Sequence, residues 1–245
     1  MATFVLVPGF WLGAWVWDQI GRELRSAGHD VHPVTLTGLG DRVHLAAPGV
    51  DLETHAADVV NVIEYAGLEE VILVGHSGGG LPVALAADRI PGRLARVVYL
   101  DSAPLPDGMC QFDVHAPEEQ ERIEKRVAAE GEGWRLPPPP FTDVAADPVN
   151  LAGLGEADLA LLRSRAVPQP FATARQPLRR SHRAPVTETL IPCVFPEARV
   201  RQMIAAGHPM FAGFAGPPQV VPLATGHYPM LSRPADTARV LASLA

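Results

Sequence analysis

Four short apolar runs constrain this chain most: Thr3-Phe4-Val5-Leu6-Val7, His32-Pro33-Val34-Thr35-Leu36, Val71-Ile72-Leu73-Val74 and Val97-Val98-Tyr99-Leu100. Each is short, rich in β-branched residues and bounded by turn signals, so each reads as a strand. Near-continuous apolarity suits strands covered on both faces, and the intervals are long enough for crossover helices, as parallel βαβ units require. Trp17 to Arg25 repeats apolar positions at helical spacing and stops at Ala27-Gly28; Thr54 to Ala66 does the same and stops at Gly67. Leu81 to Ala87 is apolar almost all round, the mark of a helix buried against a sheet.

The alternation breaks after Asp101. From Asp107 to about residue 184 come charged helical stretches such as Glu118 to Ile123, the run Pro137-Pro138-Pro139-Pro140, and no parallel-strand signal. It resumes at Leu190 to Phe195, followed by a helix near Ala198 to Ala206, a last strand near Gln219 to Leu223 and a closing helix from Pro234 to Leu244. The expected architecture is α/β: a mainly parallel sheet of about six strands flanked by helices. Residues 1–106 and 185–245 form the core and 107–184 an inserted, mostly helical cap.

Composition narrows the function. With 47% hydrophobic and 19% charged residues the chain can build a sizeable core. A net charge of −7 without a dense Lys/Arg run argues against nucleic acid as a partner, because phosphate binding needs a basic face. The N-terminal MATFVLVPGF lacks the pattern of a leader, and no window approaches 18 consecutive apolar residues, so a cytoplasmic protein with no membrane partner is expected. Cys110 and Cys193 stand far apart and read as ordinary thiols. His29, His32, His44, His55, His115, His182 and His208 show no metal-ligand spacing, and no metal or other cofactor is expected.

Chemistry concentrates at Gly75-His76-Ser77-Gly78-Gly79, a G-x-S-x-G between a buried strand and a buried helix. A serine at the carboxyl end of a parallel strand stands where open α/β sheets place their sites. A sharp, strained turn lifts its hydroxyl above the sheet, and the flanking glycines leave room for the strand–helix crossing. A helix beginning at Gly78 offers amide N–H groups and a positive dipole end to an oxyanion. Such a serine needs an imidazole to take its proton, and His227, in a Gly-bounded loop after the last predicted strand, is the candidate base. His76, beside the serine, reads either as a packing residue or as one that supports the site without touching the reacting atoms.

Together with Phe4-Val5-Leu6-Val7-Pro8-Gly9-Phe10, Gly13-Ala14-Trp15 and Gly226-His227-Tyr228-Pro229-Met230-Leu231, the motif makes the chain resemble the α/β-hydrolase superfamily. The likeness is to its branch of small esterases and hydroxynitrile lyases, which includes plant methylesterases. It implies Ser77 as nucleophile, His227 as base, and the amides of Phe10 and Gly78 as the oxyanion hole. The family usually carries its acid in the loop after the strand read at Leu190 to Phe195, where this chain has Val194-Phe195-Pro196-Glu197 and no aspartate. Some dehalogenases of the superfamily place the acid after the preceding strand, and there stands Tyr99-Leu100-Asp101-Ser102. Asp101 is the favoured acid and Glu197 the alternative. The lyases' threonine and lysine are replaced by Gly9 and Tyr228, which favours ester hydrolysis, and a serine at the elbow excludes dehalogenase chemistry.

The expected activity is a serine hydrolase cleaving a small to medium apolar or aromatic carboxylic ester or lactone through an acyl-enzyme. Two alternatives are a carbon–carbon lyase or cyclase using the same Ser/His pair, and a non-catalytic ligand receptor of the same fold. The partner is a small-molecule substrate, with a homodimer left open. Phe10, Trp11, Trp15, Trp134, Phe141 and Phe171 are candidate pocket aromatics. Arg163, Arg165, Arg175, Arg179, Arg180 and Arg183 gather positive charge, read first as a solvated face and second as a site for an anionic substrate tail.

Overall fold

In the computed structural model, which describes residues 1–180 and 186–245, the apolar runs become neighbouring strands of one sheet. The strands are β1 (Thr3–Val7), β2 (Asp30–Pro33), β3 (Val71–His76), β4 (Leu94–Leu100), β7 (Thr187–Ile191) and β8 (Gln219–Val220). They lie in the order β2-β1-β3-β4-β7-β8, and every pairing is parallel. β3, which carries the elbow, is central, with Val5 opposite Leu73 and Gly75 opposite Tyr99.

Alternate side chains enter two cores. Val5, Val7, Val71, Leu73, Val97 and Tyr99 pack on one face, while Phe4, Leu6, Ile72, Val74, Val98 and Leu100 pack on the other. Burial on both faces is why these strands read as continuous apolar runs rather than an in-out alternation. On the first face lie α2 (Leu52–Tyr65), α3 (Gly80–Arg89) and α7 (Glu197–Ala205); on the second lie α1 (Asp18–Ser26) and α9 (Pro234–Ala242), which follows the short α8 (Pro229–Ser232). α2 begins at a capping box in which Asp51 accepts from the Thr54 amide at 2.9 Å, and the chain leaves it through Gly67 at φ +63°.

Several boundaries differ from expectation. β2 ends at Pro33, two residues into the run expected to be a strand, and β8 holds two residues instead of five. The helix expected at Gly78 begins at Gly80, because Ser77–Gly79 first turn as a 3-10 helix that makes the sharp corner after β3.

Between β4 and β7 come α4 (Pro117–Glu130), α5 (Glu156–Arg165) and α6 (Ala172–Arg175). This stretch also contains a pairing the sequence reading lacked: β5 (Arg135–Leu136) runs antiparallel to β6 (Gln169–Pro170). Strands of two residues are too short to leave a periodic signal. Cys110, Phe112, Ile123, Val127, Leu136, Phe171 and Ala174 form a small third core, against which Phe10 and Trp11 pack. Both cysteines are buried free thiols. His182, Arg183 and the boundary expected at 184/185 lie outside the described residues. No helix among the described residues is long and apolar enough to cross a membrane.

Candidate active site

β3 delivers Ser77 at the carboxyl edge of the sheet with φ +50°, a left-handed backbone that costs a residue bearing Cβ roughly 1–2 kcal/mol. The crossing behind it is tight. A Cβ on Gly79 would stand 2.3 Å from the Pro8 carbonyl oxygen, and one on Gly75 would stand 2.9 Å from that of Gly79. The glycines two before and two after the serine therefore let β3, the loop after β1 and α3 converge under the hydroxyl. Ser102 Oγ clamps the corner by donating to the Ser77 carbonyl at 2.6 Å.

His227 Nε2 lies 2.8 Å from Ser77 Oγ, and its Nδ1 lies 2.5 Å from Asp101 Oδ2. Asp101 follows β4 at φ +45°, and its other oxygen, Oδ1, accepts from the amides of Cys193 at 2.9 Å and Val194 at 3.2 Å. Burial by itself would raise the Asp101 pKa. The hydrogen bond and charge of His227 and the two amides outweigh burial and hold the carboxyl below its ordinary range. An ionised Asp101 accepts the Nδ1–H, which leaves the Nε2 lone pair facing the serine hydroxyl.

Glu197 stands apart from this chain. It opens α7 and pairs with Arg201 through Nε at 2.8 Å, in the solvated first-turn position where a glutamate complements the helix dipole.

His76 does more than pack. Its Nε2 donates to the His227 carbonyl at 2.7 Å, while the His227 amide donates to the Asn150 carbonyl at 2.8 Å. The imidazole facing Ser77 is thus held through its own backbone from both sides. Burial, reinforced by the nearby His227, pushes His76 down to about 3, and burial also lowers His55, whose ring lies 2.9 Å from the Thr37 carbonyl.

Both histidines fold neutral, whereas the unfolded chain takes up their protons below the ordinary value of 6.5. Their contribution to stability is complete above that pH and is lost as pH falls below it. Urea unfolding between pH 8 and 4 is expected to show stability level above about pH 7. It should then fall, with His76 contributing a slope approaching about 1.4 kcal/mol per pH unit. His76→Gln, which keeps a donor near Nε2, should remove one such slope; an unchanged profile would show that His76 titrates normally in the fold.

Two cavities open on Ser77 and His227, one of about 400 Å³ and one of about 770 Å³. Phe10, Trp11, Phe141 and Phe171 line the larger, as expected, joined by Phe112 and Tyr228. Trp15 and Trp134 line neither; Trp134 instead carries the Arg135 guanidinium 4.2 Å from its ring. Phe10 and Gly78 flank Ser77 in the larger cavity, and the neighbouring Trp11 amide is already committed to Gln169 Oε1 at 3.1 Å.

The described arginines of the expected cluster, Arg163, Arg165, Arg175, Arg179 and Arg180, line neither cavity. Arg175 pairs with Glu124 at 3.1 Å, Arg163 donates to the Phe141 carbonyl at 2.8 Å, and Arg180 donates to the Gly213 carbonyl. The cationic side chains of the larger cavity are Arg122 and Arg126 instead. Gln111 and Asn150, which line both cavities, and His115, which lines the larger, also escaped the sequence reading as site residues. All come from segments distant in sequence and without a motif, so no local signal marked them.

Of the six non-glycine residues with positive φ among the described ones, Trp11, Ser77, Asp101 and Phe141 line these cavities. Backbone strain collects at sites where geometry is held by its surroundings.

Comparison with known proteins agrees with this architecture. A carbendazim hydrolyzing esterase of Nocardioides sp. (strain SG-4G) is 49% identical over 102 residues, 42% of this chain and 42% of that enzyme. Methylesterase 9 of Arabidopsis thaliana is 37% identical over 108 residues, 44% of this chain and 42% of its own. The chain thus matches less than half the length of these curated relatives. Among solved structures, an extracellular alpha/beta-hydrolase from a Paenibacillus species superposes with a TM-score of 0.79 at 23% identity, over 99% of this chain and 98% of that one. That protein is described as sharing structural and functional homology with tobacco salicylic acid binding protein 2. With a family model matching residues 4–240 on top of the parallel sheet and the elbow at Ser77, the chain belongs to the Alpha/beta hydrolase family.

Proposed function

We propose that the protein is a serine hydrolase that cleaves apolar or aromatic carboxylic esters through an acyl-enzyme. The observation that carries this reading is the unbroken chain from Asp101 through His227 to Ser77 Oγ, at 2.5 and 2.8 Å, where two cavities meet. Ser77 Oγ attacks the ester carbonyl carbon as its proton passes to His227 Nε2, a transfer contributing about 10²- to 10⁴-fold. The Phe10 and Gly78 amides receive the oxyanion, with each donor worth about 10²- to 10³-fold. His227 returns the proton to the departing alkoxide, giving an alcohol and an acylated Ser77. Water, deprotonated by the same imidazole, then releases the acid. Asp101 orients the ring and stabilises its cation without taking the proton.

Ester hydrolysis by the similar Nocardioides and Arabidopsis proteins supports the reading. A carboxylate on His227 Nδ1 favours catalysis over the receptor alternative. Rapid mixing with p-nitrophenyl esters is expected to release a burst of nitrophenolate approaching one per protein, with the acyl mass on the peptide bearing Ser77. Hydrolysis with no acylated Ser77 peptide at any quench time would overturn the acyl-enzyme.

A further inference from the structure

The two cavities share Ser77, Gln111, Asn150 and His227, and otherwise have different walls. The larger holds both proposed oxyanion donors, six aromatic rings and the charged side chains Glu119, Arg122, Arg126 and Asp147. The smaller lies under the ends of β4 and β7 and is walled by Leu105, Leu190, Val194, Val200, Met210 and Phe211. Asp101 is the one charged side chain of that wall among the described residues, and it is turned to His227.

The mouth of the smaller cavity has an unusual surface. Val114, Val149 and Phe195 line it while remaining 39%, 56% and 42% exposed, and they are among the few large apolar side chains the described fold leaves in water. Apolar side chains grouped around an opening mark a place where an apolar ligand is meant to pass.

Stereochemistry connects the cavities. A carbonyl carbon bonded to Ser77 Oγ, with its oxygen on the Phe10 and Gly78 amides, has two substituents left, the acyl chain and the leaving oxygen with its alkyl or aryl group. Two cavities meeting at one hydroxyl give each substituent its own space. A methyl ester would leave one of them with nothing to bury.

We propose that the smaller cavity is a subsite for an alkyl chain, so that the preferred substrate is an ester bulky on both sides, with its aromatic half in the larger cavity and an alkyl half running out between Val114, Val149 and Phe195. This rests on the esterase reading for its chemistry, but not for its binding test. Each methylene buried there contributes about 0.8 kcal/mol, or about threefold to fourfold in affinity.

Two ester series separate the sources of the chain: n-alkyl benzoates vary the alcohol, and phenyl n-alkanoates vary the acyl group. In one series kcat/KM is expected to climb about threefold per methylene from one carbon to about six. Ala103→Phe, which fills the smaller cavity, should flatten that climb. Val149→Asp and Phe195→Asp, at exposed positions of the same wall, should weaken the longer esters most. In Ser77→Ala protein, calorimetric Kd for the same compounds should fall by the same factor per methylene, with no turnover required. A Kd independent of chain length in both series overturns the subsite, even if the parent enzyme hydrolyses both. A chain-length-dependent Kd without hydrolysis by the parent protein keeps the subsite and overturns the esterase reading instead.

Discussion

Asp101→Asn is expected to lower kcat for ester hydrolysis by about 10⁴-fold, with KM within a few-fold, while Glu197→Gln leaves both within about twofold. The reason lies in how the carboxylate is held. Asp101 Oδ1 accepts two amide N–H groups, from Cys193 and Val194, and Oδ2 faces His227 Nδ1. An asparagine keeps its single acceptor oxygen on those amides, so its NH₂ must turn toward Nδ1. Two donors cannot share that contact, and the ring answers by moving its proton to Nε2, where it can no longer accept from Ser77.

The substitution should spare the fold, because asparagine tolerates the left-handed φ of +45° at this position better than other residues with a side chain. Glu197 meets solvent and Arg201, so its neutralisation removes a surface pair worth at most about 1 kcal/mol. Steady-state kinetics on the two variants decides between the acids. Loss of activity in Glu197→Gln with retention in Asp101→Asn would reverse the assignment.

The sheet was legible because burial on both faces writes itself into consecutive residues. Val71 to Val74 needed no partner to be read as a buried strand, and a glycine placed after the helix at Gly67 marked its end. Ser77 was legible because the strand, the serine and the helix are adjacent in sequence. Positions set by long-range contact were harder. Nothing in Cys193-Val194-Phe195-Pro196-Glu197 reveals that the Cys193 and Val194 amides cradle a carboxylate 92 and 93 residues away. The strand that precedes Asp101 gave only its address.

The segment between β4 and β7 was legible least. Asn150 lends the His227 amide a carbonyl, and Gln169, fully buried, ties β6 to the loop after β1 through the Trp11 amide. Such contacts join loops far apart in sequence, where no periodicity exists to report them. His76 lies inside the motif, yet its partner, the His227 carbonyl, belongs to the other end of the chain, so the sequence left packing and a supporting role both open.

Ser77→Ala is expected to reduce kcat on the order of 10⁶-fold, since removing the nucleophile of a Ser-His-Asp set disables the whole set. The cavity walls are untouched, so binding of esters should persist. Pairing it with Ser77→Gly separates chemistry from strain. Both variants lose the 2.8 Å contact to His227 and both should be equally inactive, but they differ in what φ +50° costs.

An alanine pays the left-handed penalty of roughly 1–2 kcal/mol, which a glycine avoids. Glycine's freer unfolded chain gives back about 0.4–1 kcal/mol. Urea unfolding should therefore find Ser77→Gly more stable than Ser77→Ala by about 1 kcal/mol. That difference, with glycine's unfolded-chain term added back, would measure strain held at the elbow by the Ser102 hydrogen bond and the close approach of Gly79 to Pro8. Equal stabilities would mean a strain no larger than glycine's unfolded-chain term of about 0.4–1 kcal/mol, and a Ser77→Ala protein more stable than Ser77→Gly by that amount would mean that the positive φ at Ser77 carries no stored energy.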